Sequence, residues 1–182
     1  MLTEPLFFDT DCLSAFLWTD RGSIVTQLYT NRVVIPQLVL DELSRVATPA
    51  FQDRIAELTA SSDVEIRDID LASPALPLYL EMTNRPRPGF KMVGRGEAAA
   101  MALAVVNRGI VASNNFRDTA AYIRDFGLKC KTTGSILVEA YENGLISERE
   151  ANAMWADMLT AGRWIGARSF TEFLGKPIDP LA

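Results

Sequence analysis

Four carboxylates stand where hydrolytic chemistry would need them. Asp9 ends an apolar run, Glu42 lies inside an otherwise apolar helical segment, Glu97 opens an alanine-rich stretch, and Asp118 follows a second apolar run by one turn. Gathered without histidine or thiolate, four such acids make a hard-oxygen site, suited to Mg²⁺ or Mn²⁺ rather than zinc. Ions of this kind activate water and stabilise a phosphodiester transition state. The 182 residues include no histidine, which excludes Ser-His-Asp and Cys-His nucleophiles, histidine-based RNA cleavage and His-ligated zinc. Any catalysis has to run on carboxylates. The two cysteines, Cys12 and Cys130, are far apart and form no CxxC pair, so they read as buried free thiols of a reducing compartment.

Each acid also has a plain structural use. Asp9 could cap the helix that follows it. Glu42, beside Asp41, could face solvent, and Glu97 and Asp118 could simply complement a helix dipole in a first turn. Spacing alone leaves these alternatives open.

The elements that would position the acids alternate between strand and helix. Leu6-Phe7-Phe8 reads as a buried strand, followed by a helix over 11–18. Val33-Val34-Ile35 is either a brief strand or the start of a helix over 36–46 opened by Pro36. A helix over 51–58 and a strand at Val64-Glu65-Ile66 follow. Residues 83–96, TNRPRPGFKMVGRG, carry two prolines, three glycines and four cations with no acid, and read as a loop. Helices over 98–106, 117–126 and 134–142 flank strands at 110–112 and 128–131, with Gly127 and Asn143-Gly144 at helix ends. The tail over 147–174 reads as helical, with Ser147 and Glu150 forming a capping box. This order predicts an α/β fold with a central, mostly parallel sheet, in which ligands sit beyond the carboxyl ends of the strands. Met154, Trp155, Met158, Leu159 and Trp164 in the tail have the spacing of core packing or of a partner surface. No apolar run approaches the roughly 20 residues of a membrane helix and the N-terminus lacks a signal-peptide pattern, so a soluble cytoplasmic protein is expected.

Taken together, FFDTDCLSAFLW, IPQLVLDEL, GRGEAAAMALA and VASNNFRDTAAY occur in an order that resembles PIN-domain proteins, the fold of VapC-type toxin ribonucleases. The later segment TTGSILVEAYENGLIS is similar to one in an uncharacterised PIN branch. The resemblance covers about residues 5–146 and implies a three-layer α/β/α nuclease domain over 1–146, with 147–182 as a helical extension packed on it. It implies a metal-dependent endoribonuclease with Asp9, Glu42, Glu97 and Asp118 as catalytic metal ligands. Thr10 would orient the first carboxylate or its water, while Asp11, Ser113, Asn114 and Asn115 would stand around the ligands. Asn114 departs from the pattern, since many relatives carry an acid there. A homodimer and, for a toxin, a small antitoxin blocking the crevice are implied as partners.

An acidic site needs cations at its rim to accept RNA. Arg85, Arg87, Lys91 and Arg95, in the loop ahead of Glu97, are the expected substrate contacts, with Phe90 placed to stack on a base. The net charge of −5 argues against binding nucleic acid by bulk electrostatics. Two alternatives remain at this level. One is a catalytically weak PIN-fold binding module. The other is a haloacid-dehalogenase-type phosphatase, whose DxD signature Asp9 and Asp11 also fit, as nucleophile and general acid.

Overall fold

The computed structural model describes residues 4–45 and 48–176. Five short strands, β1 (Leu6–Phe8), β2 (Val33–Pro36), β3 (Val64–Arg67), β4 (Ile110–Ala112) and β5 (Lys129–Lys131), form one sheet in the order β3-β2-β1-β4-β5. Every neighbouring pair is parallel. Parallel strands need crossovers, which helices supply on both faces. In chain order these are α1 (Thr10–Trp18), α2 (Gly22–Leu28), α3 (Gln37–Arg45), α4 (Pro49–Thr59), α5 (Ala75–Asn84), α6 (Arg95–Asn107), α7 (Phe116–Asp125), α8 (Thr133–Glu142), α9 (Glu148–Thr160) and α10 (Phe170–Leu174). The fold is therefore the parallel α/β fold that the strand–helix alternation predicts, in the three-layer α/β/α form that the resemblance implies.

The period of two along each strand divides the interior into two cores. Leu6, Phe8, Val33, Ile35, Ile110 and Ala112 point into one, with α1 to α4 and α8 to α10. Phe7, Val34 and Val111 point into the other, with α5, α6 and α7. Residues Ala98 to Ala104 of α6 are all buried, and the five alanines among them let this helix lie close against the sheet. β1 has β2 on one side and β4 on the other, so the chain reverses its direction of winding between them. The carboxyl ends of β1 and β4 flank that switch point, where α/β sheets place their ligands.

Several elements differ from the sequence reading. Pro36 ends β2 opposite Arg67 rather than opening the next helix; as the last strand residue it needs no ladder donor. The expected end of that helix at Val46 lies outside the described residues. Two helices, α2 and α5, carry no clear periodic signal: α2 is short, and α5 has Pro77 in its first turn. The basic loop shrinks to 85–94, because its ends belong to α5 and α6. The tail is two helices, broken at 161–169 where Gly162 and Gly166 take φ of +77° and +93°. Its apolar residues divide: Met154, Trp155 and Met158 are buried in the same core as α8, whereas Trp164 is 66% exposed. The Trp155 indole N–H donates to the Ala167 carbonyl at 3.0 Å. Gly134 lies beneath Phe173, whose ring a Cβ would meet at 2.6 Å. The extension thus shares the core of the sheet. Each fully buried large apolar side chain it contributes is worth roughly 1.5–3 kcal/mol.

Candidate active site

Asp9 follows β1 directly and is completely buried. Its backbone is extended, and Oδ1 accepts the Cys12 N–H at 2.7 Å as the N-cap of α1. The capping use is therefore real, but it occupies one oxygen only. Oδ2 is buried with no hydrogen-bond partner among the described residues. The Ser113 hydroxyl, after β4, favours the charged form of the group. Burial raises the Asp9 carboxyl from its ordinary 3.8 to about 7, with further upward pushes from Asp11 and Glu97. A buried carboxylate with an unused oxygen at a switch point is poised for a positively charged ligand.

Glu42, on α3, reaches the same region. Its Oε2 accepts a short hydrogen bond from the Thr10 hydroxyl, and its Oε1 accepts the Gly96 N–H at 3.0 Å. Gly96 is in the first turn of α6, so Glu42 sits against unpaired helix donors, where negative charge is favoured. The Thr10 hydroxyl, expected to orient the first carboxylate or its water, donates to Glu42. Nothing larger than glycine fits at 96: a Cβ would meet Glu42 Oε2 at 2.6 Å and the Thr10 hydroxyl closer still.

Glu97 also divides its oxygens. Oε2 accepts the Gly94 N–H at 2.9 Å, closing the start of α6, and Oε1 accepts the Asn115 amide at 2.7 Å. The same amide reaches Asp118 Oδ2 at 3.3 Å, so one asparagine ties the second and third helices of the site together. Lys91 donates to Asp118 Oδ1 at 3.1 Å and to the Arg117 carbonyl at 3.2 Å. The Lys91 ammonium and then the Asn115 amide hold the Asp118 carboxyl below its ordinary value.

At the rim, Asn114 serves the start of α8: its Oδ1 accepts the Thr133 N–H at 2.9 Å and its amide donates to the Thr133 hydroxyl at 2.9 Å. The amide also approaches Asp11 Oδ2 at 3.5 Å. An aspartate at 114 would lose that donor and set a second negative charge against Asp11. Asp11 Oδ1 accepts from Arg163 Nη1 at 3.2 Å, a contact from the C-terminal extension that the sequence gives no signal for. With Asp9 capping α1 and Asp11 held by an arginine, the phosphatase alternative finds no support.

The basic residues ahead of Glu97 differ among themselves. Arg87 bridges Glu81 and Asp125, the latter at 2.6 Å, and lies 4.5 Å over the Phe90 ring. Phe90 in turn packs on Tyr122 at 4.7 Å, so neither side chain is free to meet RNA as placed. Arg95 donates to the Tyr79 hydroxyl at 3.2 Å, and Arg85 is exposed. Arg87 therefore braces the loop. Arg87→Ala is expected to speed amide hydrogen exchange over 85–94 and to leave the sheet's exchange unchanged; equal exchange in the loop would contradict this role.

Asp9, Glu42, Glu97 and Asp118 thus come from four elements to one end of the sheet, linked through Thr10, Gly96 and Asn115. Their oxygen-only chemistry and the orphaned Asp9 Oδ2 fit a hard divalent ion. As the side chains stand, no three acids among the described residues are close enough together to hold one. Glu42, Glu97 and Asp118 are turned onto protein donors, and binding an ion would release some of those contacts.

The parallel α/β/α fold gathers these carboxylates at the β1–β4 switch point, where such folds place their ligands. The family model DUF3368, a PIN domain, matches residues 6–177, and the chain belongs to the PIN-domain family. Proteins of this family are generally nucleases and usually use divalent metal ions. Among solved structures, one similar chain is a PilT N-terminus domain protein from the hyperthermophilic archaeon Sulfolobus solfataricus P2. It is 14% identical, with a TM-score of 0.45 over 75% of this chain and 93% of that one. No curated protein matches the chain. No helix among the described residues is long and apolar enough to cross a membrane.

Proposed function

We propose that this protein is a metal-dependent endoribonuclease, with Asp9, Glu42, Glu97 and Asp118 as the acids that hold Mg²⁺ or Mn²⁺. The observation that carries the reading is the fully buried Asp9 carboxylate with an unpartnered Oδ2 at the switch point of a PIN fold. A divalent ion there would supply Lewis acidity and a nucleophilic water at neutral pH. The chain's own residues do the rest. Asp9 is fixed by the start of α1, Glu42 by Thr10 and the start of α6, and Glu97 and Asp118 by Asn115, so the acids are held at one end of the sheet and would exchange some of these donors for the ion. Lys91 lies beside Asp118, where its ammonium can pass from carboxylate to an RNA phosphate. A small antitoxin over the crevice and a second copy of the chain are the partners that accompany the reading.

One observation favours a second reading, a PIN fold that binds RNA without cutting it: three of the four acids have both oxygens on protein donors. Incubation of a mixed RNA pool with chelator-treated protein separates the two. Cleavage that returns with Mg²⁺ or Mn²⁺ in wild type and is lost in Glu97→Gln is the expected result. Binding without metal-dependent cleavage would leave the binding module, and equal cleavage by both proteins would mean contamination and end the enzyme reading.

A further inference from the structure

We propose that Arg163, carried by the C-terminal extension, is a phosphate-contact residue for single-stranded RNA, with Trp164 beside it as a stacking surface. The proposal deepens the ribonuclease reading and rests on it. Helix α9 ends with Gly162 in the left-handed region, φ +77°, and the Arg163 N–H returns to the Met158 carbonyl at 2.8 Å. This termination turns the chain sharply and fixes where Arg163 leaves the helix. Its guanidinium then reaches Asp11, two residues beyond Asp9, with a single contact from Nη1 at 3.2 Å.

That contact leaves the guanidinium largely unused. Arg163 Nε is buried and has no partner among the described residues. Arginine binds phosphate through a fork of adjacent N–H groups, and with Nε enclosed it is the terminal Nη1–Nη2 edge, engaged among the described residues only by the single Asp11 contact, that a phosphate would meet. The side chain is 31% exposed and the Asp11 side chain 44%, so solvent and a ligand can reach the pair. Arg87, in contrast, has both faces of its fork on carboxylates. Trp164 follows directly and is 66% exposed, an aromatic surface on which any base can stack. Asp11 holds Arg163 at the rim until a phosphate takes the fork, and the extension adds a cation on the Asp11 side of the acids, apart from Lys91 beside Asp118.

The test measures binding of a short unstructured oligoribonucleotide at several salt concentrations, in a Glu97→Gln parent so that cleavage does not interfere. Arg163→Gln is expected to weaken binding roughly fivefold to tenfold near 0.1 M salt and to flatten the salt dependence by about 0.7 in log–log slope, the share of one phosphate contact. Trp164→Ala should weaken binding roughly fivefold or more without altering that slope. Asp11→Asn, which releases Arg163 but keeps it, should bind at least as tightly as the parent; if the pair were only structural, it would lose affinity as Arg163→Gln does. Thermal melts of each variant report the fold. Unchanged affinity and slope in Arg163→Gln, or a loss in Asp11→Asn, overturns the proposal alone. A parent that binds no RNA overturns it together with the ribonuclease reading.

Discussion

Asp9→Asn is expected to reduce metal-dependent RNA cleavage by roughly a thousandfold or more, and at the same time to stabilise the metal-free protein at pH 8. Both effects follow from one buried carboxyl group. In the folded chain its pKa is raised to about 7, while the unfolded chain titrates near the ordinary 3.8. Between those values the native state keeps a proton that the unfolded state has released, so stability falls as pH rises. The contribution is complete below about pH 4 and gone above about pH 7, a loss on the order of 4 kcal/mol if the whole shift is expressed. Asparagine keeps the oxygen that caps α1 and has no proton to lose, so its melting temperature should vary less over this range. A divalent ion should restore to wild type at pH 8 what ionisation removes. Melts of both proteins at pH 4.5 and pH 8 with chelator, then with Mg²⁺, check the whole pattern. A variant less stable than wild type at pH 8 would show that Asp9 is satisfied in a way the structure does not show.

Gly96→Ala is the second large effect. Its methyl group would stand 2.6 Å from Glu42 Oε2 and closer to the Thr10 hydroxyl, neither of which can yield without leaving the other. The start of α6 cannot move away easily, because Ala98, Ala99 and Ala100 behind it are fully buried. Overpacking of this kind costs roughly 1–3 kcal/mol. The larger consequence is local: Glu42 is displaced, and activity should fall by roughly a hundredfold while circular dichroism stays native. Gly22→Ala, in the first turn of α2, is the control, because its Cβ would meet only Leu17 and Leu58 at ordinary contact distance. Equal activity in the two variants would show that Glu42 has no part in cleavage.

How much of this was readable from the chain depends on what kind of order each feature needs. Leu6-Phe7-Phe8, Ile110-Val111-Ala112 and the alanine run of α6 declare themselves, because full burial leaves them uniformly apolar or small. The parallel sheet follows from strands alternating with helices. Asp9, Glu42, Glu97 and Asp118 could be chosen from 23 acids through ordered motifs, although only the fold brings them together. What could not be read are relations between distant segments. Asn115 joining Glu97 to Asp118, and Arg163 reaching Asp11 across 152 positions, depend on how helices pack. The basic loop shows the limit in the other direction. Four cations without an acid look like a free phosphate-binding surface, yet Glu81, Asp125 and Asp118, all outside the loop, occupy Arg87 and Lys91. Gly96 did carry a signal, a glycine immediately before an acid at a helix start, whose meaning appears only once Glu42 is placed opposite it.

The orphaned Asp9 oxygen belongs to a cation site only if the protein takes up a divalent ion through it. The most direct measurement is Mn²⁺ binding at pH 8, followed by the paramagnetic resonance signal of free Mn²⁺, in wild type and Asp9→Asn. Saturable binding by wild type, reduced at least tenfold in the variant, is the predicted result. Equal binding by the two proteins, or none by wild type at millimolar Mn²⁺, would contradict it.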